Sequence, residues 1–87
     1  KAFISCKAID RERGVMESNE LFAGAKQAMI DAARTTILAV DQSKFDNTAF
    51  ARVTNLHNLS AVVTDVKPSN EWLELLKSYN VKCYYPK

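Results

Sequence analysis

The apolar run Thr36–Val40 stops abruptly on Asp41-Gln42-Ser43-Lys44-Phe45, and that junction constrains the rest of the chain. The run is short, aliphatic and led by β-branched threonine, so it reads as a buried strand. A buried strand that ends on Asp-x-Ser-Lys is how a parallel α/β sheet presents polar groups at its carboxyl edge. Open α/β folds bind ligands at that edge. The question for the remaining sequence is whether it supplies the other strands and helices of such a sheet.

It does so in order. Ala2–Cys6 is apolar and bounded by charge, which reads as a first strand. Lys7–Gly14 is expected to be a polar loop, punctuated by Gly14. A helix is expected over Ser18–Arg34, with Phe22, Ala25, Met29, Ala32 and Ala33 at helical spacing and Leu21 and Ala28 beside them. Ser18 or Asn19 supplies its N-cap, and Glu20 suits the positive end of its dipole. Thr35-Thr36 return the chain to a strand. Asp46-Asn47-Thr48 reads as a turn, and Ala49–Val53 fits a short helix or an extended segment equally well. Leu56–Leu59 reads as one helical turn and Ala61–Asp65 as a third strand. Pro68 stops that strand, and Ser69 or Asn70 caps a helix whose apolar face is Trp72, Leu73, Leu75, Leu76 and Tyr79. Asn80 is placed to end it in a left-handed conformation. Val81–Tyr85 is a last strand, with Tyr84 and Tyr85 expected in core or interface. Strand and helix alternate, which implies an α/β fold with a mostly parallel, Rossmann-like sheet and right-handed crossovers.

Composition narrows the function. The chain has 87 residues and is read as one domain, 1–87. Hydrophobic residues make up 47 %, which argues against disorder. A net charge of +2, with acids and bases intermixed, is too mild for nucleic-acid binding by this segment. No apolar run approaches a membrane span, and no membrane partner is expected. The two cysteines, Cys6 and Cys83, are far apart and form no CxxC, so they read as reduced, buried thiols of a cytoplasmic protein. His57, the single histidine, cannot build a ligand cluster, and neither metal nor cofactor is expected. The start lacks an initiating methionine and looks like the first residue of a strand. An upstream segment is therefore expected, and the domain is read as partial.

Three strand ends would converge on one crevice. The first brings Ser5, Lys7 and Asp10, the second Asp41, Ser43 and Lys44, and the third Thr64 and Asp65. The start of the first helix, with Ser18, Asn19 and Glu20, would face the same edge and attract anions through its free N–H groups. Lysines and backbone amides suit a phosphate, while Asn, Asp, Ser and Glu suit sugar hydroxyls. Each residue also has a plainer role. On spacing alone the plainer roles come first: Lys44 reads as a solvated lysine, Lys7 as a surface partner of Asp10 or Glu12, Asp41 and Asp65 as turn caps, and Glu20 as a dipole partner. There is no Walker loop, GxGxxG, HExxH or Ser–His–Asp set. The chain is read as a non-enzyme; a catalytic base here would have to be a carboxylate such as Glu20 or Asp41.

The segments FISCKAID, GVMESNE, AKQAMIDAA, ILAVDQSKF, AFARV and VVTD, in this order and spacing, resemble the C-terminal effector-sensing domain of the DeoR family of bacterial transcriptional regulators. The likeness covers nearly the whole chain. Its most specific parts are Asp41-x-Ser43-Lys44-Phe45 and the Ser18-Asn19-Glu20 turn. That family is similar in fold to ribose-5-phosphate isomerase, glucosamine-6-phosphate deaminase and the CoA-transferases. The resemblance implies a sensor of a phosphorylated sugar, coupled to operator DNA through an N-terminal winged helix-turn-helix, in a protein that is a homo-oligomer at full length. Lys44 would contact the effector, Asp41 and Ser43 would shape its loop, and Lys7, Asp10, Asn19 and Glu20 would line the crevice. This chain has Ala8 where many members carry Gly. The family's glycine-rich phosphate loop and winged helix both precede the matched segment and are not in this sequence. The alternative is a fragment of a sugar-phosphate isomerase or deaminase. A plainer reading is a domain serving oligomerisation through its last strand and the Trp72 helix.

Overall fold

A computed structural model describes all 87 residues. Its strands are β1 (Ala2–Ile4), β2 (Ala8–Asp10), β3 (Gly14–Glu17), β4 (Thr36–Ala39), β5 (Ala51–Thr54), β6 (Ala61–Val63) and β7 (Lys82–Tyr84). The helices are α1 (Glu20–Ala32) and α2 (Asn70–Ser78), with 3-10 turns at Gln42–Lys44 and Leu56–Asn58. Four strands form a wholly parallel sheet in the order β1-β4-β6-β7. The α/β class and the parallel sheet are as the alternation implied.

Helix boundaries follow from their caps. Asn19 is extended, and its side chain accepts the Phe22 N–H at 2.9 Å. Ser69 does the same for the Trp72 N–H at 3.2 Å. Each cap satisfies an amide that the helix itself leaves unpartnered. After α2 the chain reverses through Asn80 in the left-handed region (φ 61°), as its residue type suggested.

The Lys7–Gly14 segment corrects the sequence reading. It is not a loop but most of a β-hairpin, and β2, β3 and β5 form a second, antiparallel sheet. Two buried apolar residues, Ala8 and Ile9, drive this, and they were hidden among charged neighbours. Gly14 is required where it stands. Its φ is 83°, and a Cβ there would lie 2.3 Å from the Thr54 carbonyl oxygen. The ambiguous Ala49–Val53 segment is resolved as extended, with β5 pairing against β3.

The apolar face of α1 also differs from expectation. Ala23 is its buried residue and Ile30 is partly buried, whereas Leu21, Phe22 and Met29 are exposed. Apolar residues and alanines surround this helix, so spacing alone does not choose a face. The small side chain of Ala23 lets α1 lie close to the two sheets. In α2 the expected face holds at Trp72 and Leu76, both fully buried, while Tyr79 is exposed. One cluster joins both sheets and both helices, running through Ile4, Ile9, Ala23, Leu38, Val62 and Trp72. Tyr84 is not in it and stands exposed on β7.

Candidate functional site

Asp41 organises the loop after β4. Its carboxylate accepts the Ser43 N–H at 2.9 Å and the Ser43 hydroxyl, so a local Asx turn starts the 3-10 turn Gln42–Lys44. Those two donors, the hydroxyl first, hold the Asp41 carboxyl below the usual carboxylate range, with the Lys44 charge adding to the effect. A second carboxylate fixes the loop from across the sheet: Asp65, beyond β6, accepts the Gln42 N–H at 2.8 Å. The Asn47 amide closes the far side by donating to the Ser43 carbonyl at 2.7 Å. The loop is therefore shaped by its own polar side chains and by a neighbouring strand end. Lys44 projects from it, with its nearest carboxylate, Asp41, at 4.0 Å.

The next two residues anchor this loop to the rest of the molecule. Phe45 meets Trp72 edge-on, with ring centroids 5.0 Å apart. Asp46 adopts a left-handed φ of 60° and donates its N–H to the Ile9 carbonyl at 2.8 Å. Its carboxylate accepts Arg11 Nε and Trp72 Nε1, each at 3.0 Å. Arg11 in turn lies over the indole ring, 5.6 Å from its centroid, and reaches Glu71 at 3.3 Å. One residue from the hairpin turn, one from the loop and one from α2 thus share a clasp. By sequence Arg11 falls in the expected Lys7–Gly14 loop and Asp46 in the Asp46-Asn47-Thr48 turn, with no partner foreseen for either.

A second cluster at the same sheet edge was not foreseen. Glu17, the last residue of β3, is buried, and its carboxylate meets Lys26 Nζ at 2.6 Å. The same ammonium donates to the Ser5 carbonyl at 2.5 Å, at the carboxyl end of β1. Burial raises the Glu17 carboxyl, but the Lys26 and Ser18 hydrogen bonds outweigh it, and the net shift is downward. The clue in the sequence was a pair of charges at inward positions: Glu17 closing the apolar run Val15-Met16, and Lys26 between Ala23 and Ile30 on the helix. Cys6 lies beside this pair. Burial pushes its thiol up to about 11, opposed by Lys26 and more weakly by Lys44. Both lysines therefore act on the end of β1.

The remaining expected residues divide. Lys7 is exposed at the turn into β2, and its backbone N–H donates to the Met16 carbonyl at 3.0 Å. Asp10 Oδ2 accepts the N–H groups of Glu12 (3.0 Å) and Arg13 (2.8 Å), closing the hairpin turn. Those bonds, Arg13 first, hold its carboxyl low. Asn19 Oδ1 is engaged in the α1 cap. Glu20 lines a separate groove of about 350 Å³ with Gln27, Phe50 and Arg52. The inserted antiparallel sheet explains this scatter. It separates β1 from the start of α1, so a side chain from within the helix, Lys26, reaches the end of β1. The largest cavity, about 620 Å³, runs along β7 and holds none of these residues. No group of His, Cys, Asp and Glu is arranged to hold a metal. No helix is long and apolar enough to cross a membrane.

Residues 1–66 match the family model described as the DeoR C terminal sensor domain. An HTH-type transcriptional regulator, YulB of Bacillus subtilis (strain 168), is 40 % identical over 65 residues, covering 75 % of this chain and 25 % of that protein. The L-fucose operon activator of Haemophilus influenzae is 34 % identical over 61 residues, 70 % of this chain and 24 % of its own length. The putative aga operon transcriptional repressor of Escherichia coli O157:H7 is 29 % identical over 80 residues, 92 % of this chain and 30 % of its own. The chain thus spans 24 to 30 % of the length of these curated relatives. With β1 to β6 and the Asp41–Phe45 loop all inside the matched region, the chain belongs to the DeoR C-terminal sensor domain family.

Proposed function

We propose that this chain is the ligand-sensing part of a sugar-operon transcriptional regulator, and that its ligand is a phosphorylated sugar bound at the carboxyl edge of the parallel sheet. The observation that carries the reading is the state of Lys44. Its loop is held by Asp41, Ser43, Asn47 and Asp65, while its own ammonium has one carboxylate at 4.0 Å and unfilled donor capacity. A preformed loop presenting an unsaturated cation suits an anionic oxygen. Lys7, exposed at the neighbouring strand end, adds a second positive charge. Asp41 and Ser43 act as scaffold for Lys44, while Asp10 and Asn19 are engaged in a turn and a cap and Glu20 lies in the separate groove, so these three are not assigned to the ligand. The relatives named for an L-fucose operon and an aga operon support a sugar-linked role.

Sensing requires that the ligand bind two states of the whole protein unequally. DNA contact belongs to a winged helix-turn-helix outside these residues, in a cytoplasmic, homo-oligomeric protein. An isomerase or deaminase reading would need a free carboxylate over the sugar carbon. Asp41 is already engaged by Ser43, and Glu20 lies in a separate groove, so we do not adopt it.

Calorimetry of the full-length protein against a panel of sugar phosphates tests the proposal. At least one should bind, and Lys44→Ala should weaken it roughly 10- to 100-fold, the loss of one charge-assisted contact. Binding by none of them, or binding indifferent to Lys44→Ala, would sink it.

A further inference from the structure

The Lys44 loop is held by both sheets at once. Pairing of β4 with β6 runs on past the strand, where the Val40 N–H meets the Val63 carbonyl at 3.0 Å, and Asp65 then accepts the Gln42 N–H. The near end of the loop therefore moves with the parallel sheet. Its far end is tied elsewhere. Phe45 forms an isolated parallel bridge with Ile9 of β2, and the Asp46 N–H meets the Ile9 carbonyl at 2.8 Å. Lys44 stands between these anchors, two residues from Gln42 and two from Asp46.

Side chains fix the far anchor. Asp46 Oδ1 accepts Arg11 Nε and Trp72 Nε1, and Asp46 Oδ2 accepts Arg11 Nη2 at 3.4 Å, so the arginine makes a two-pronged contact. Trp72 is 1 % exposed and packs on Phe45, which gives the clasp a fixed base. The Arg11 and Asp46 side chains are themselves 39 % and 53 % exposed. An ion pair that open adds little to global stability. A short loop is different, because its local opening takes only a small part of the global free energy. A bias negligible for the whole fold still sets where such a loop sits.

We propose that Arg11 and Asp46 are positioning residues for Lys44, and that through them the antiparallel sheet sets where the Lys44 ammonium stands. Neither residue is required to touch the ligand. Displacing the β2–β3 hairpin displaces Asp46, and with it the end of the loop that carries Lys44. Sensing needs two states that bind the ligand unequally, and the placement of the hairpin supplies a physical difference between them. The effect on ligand binding rests on the function proposed above; the anchoring of the loop does not.

The test uses the full-length protein carrying Arg11→Gln, Asp46→Asn or Arg11→Lys. Asparagine also tolerates the left-handed backbone at position 46 (φ 60°), so that change removes the charge and keeps the turn. Amide hydrogen exchange, read by peptide mass spectrometry, should become about fivefold faster over residues 43–46 in the first two variants and stay unchanged over β4 and β6. Arg11→Lys keeps the charge without the two-pronged contact and should lie in between. Calorimetry against a panel of sugar phosphates and inorganic phosphate should show affinity falling about fivefold in the same two variants, less than in Lys44→Ala. Exchange unchanged over 43–46 would overturn the proposal. So would exchange that quickens equally over β4 and β6, since the clasp would then merely support the fold. A freed loop with unaltered affinity would overturn it as well. If nothing in the panel binds the wild-type protein, the ligand reading fails by itself, and the exchange result still decides whether the clasp positions the loop.

Discussion

Lys26 and Lys44 stand at the carboxyl edge of the parallel sheet, one after β1 and one after β4, and do different work. Lys26 sits with 20 % of its side chain exposed, against a Glu17 side chain that is 10 % exposed, and both its close partners are protein atoms. Lys44 is 33 % exposed and has one carboxylate, at 4.0 Å. The first ammonium closes the junction of β1, β3 and α1. The second stands on a loop whose shape does not depend on it. A half-buried cation held by two protein acceptors belongs to the fold, while a cation without such partners on a preformed loop is open to an anion. Charge and position at a sheet edge do not separate the two roles; the partners do.

The largest expected effect breaks the Lys26 side of this comparison. Lys26→Ala leaves Glu17 buried without its counter-ion, a loss of about 3 kcal/mol or more in urea denaturation. The double change Glu17→Gln with Lys26→Met should recover most of it, because removing both charges leaves no unpaired one. The same melts on Lys44→Ala should show no change in midpoint, although ligand binding falls. If Lys44→Ala unfolds the protein, or Lys26→Ala leaves it untouched, the division is wrong.

Acid titration sharpens the point. The carboxyl of Glu17 is lowered on folding, so the unfolded chain binds the proton more readily than the native one. Its contribution is full above the unfolded value and is lost as pH falls through the folded one. Stability should therefore decline below about pH 4.5, and Glu17→Gln should flatten that decline. Asp10 and Asp41 are lowered in the same sense by backbone and hydroxyl donors, so part of the acid slope survives in the Glu17 variant. A slope unchanged by Glu17→Gln would show that the pair does not form in solution.

The smallest effect concerns the clasp behind the Lys44 loop. Trp72 is the only tryptophan, and its indole N–H meets Asp46 while Arg11 lies over the ring. Asp46→Asn keeps a residue that tolerates the left-handed backbone but removes the charge. Trp72 emission should change with little loss of stability, and Arg11→Gln should change it in the same direction. Identical spectra would dissolve the clasp.

Much of this architecture was legible in the sequence because it is local. Strands β1, β4 and β6 announced themselves as apolar runs, Asn19 and Ser69 as caps, and Asn80 as a left-handed stop. The Asp41 cap on Ser43 spans two residues and could be read directly. The β2–β3–β5 sheet could not. Ala8 and Ile9 are too few to show periodicity, and β3 pairs with a strand more than thirty residues away, at Met16↔Arg52 and Glu17↔Ala51.

The same limit applies to the site. By itself the sequence determined the parallel α/β order, the Asp-x-Ser-Lys loop at a strand end, and the family to which those segments belong. Only the tertiary structure decided that Lys26 is bound to Glu17 and Ser5, that Asp46 joins Arg11 to Trp72, and that Phe3 and Tyr84 stand exposed while Ala8 and Ile9 are buried. Caps and strand runs are set by neighbours along the chain. Which charges meet, and which faces are covered, depends on how distant segments pack.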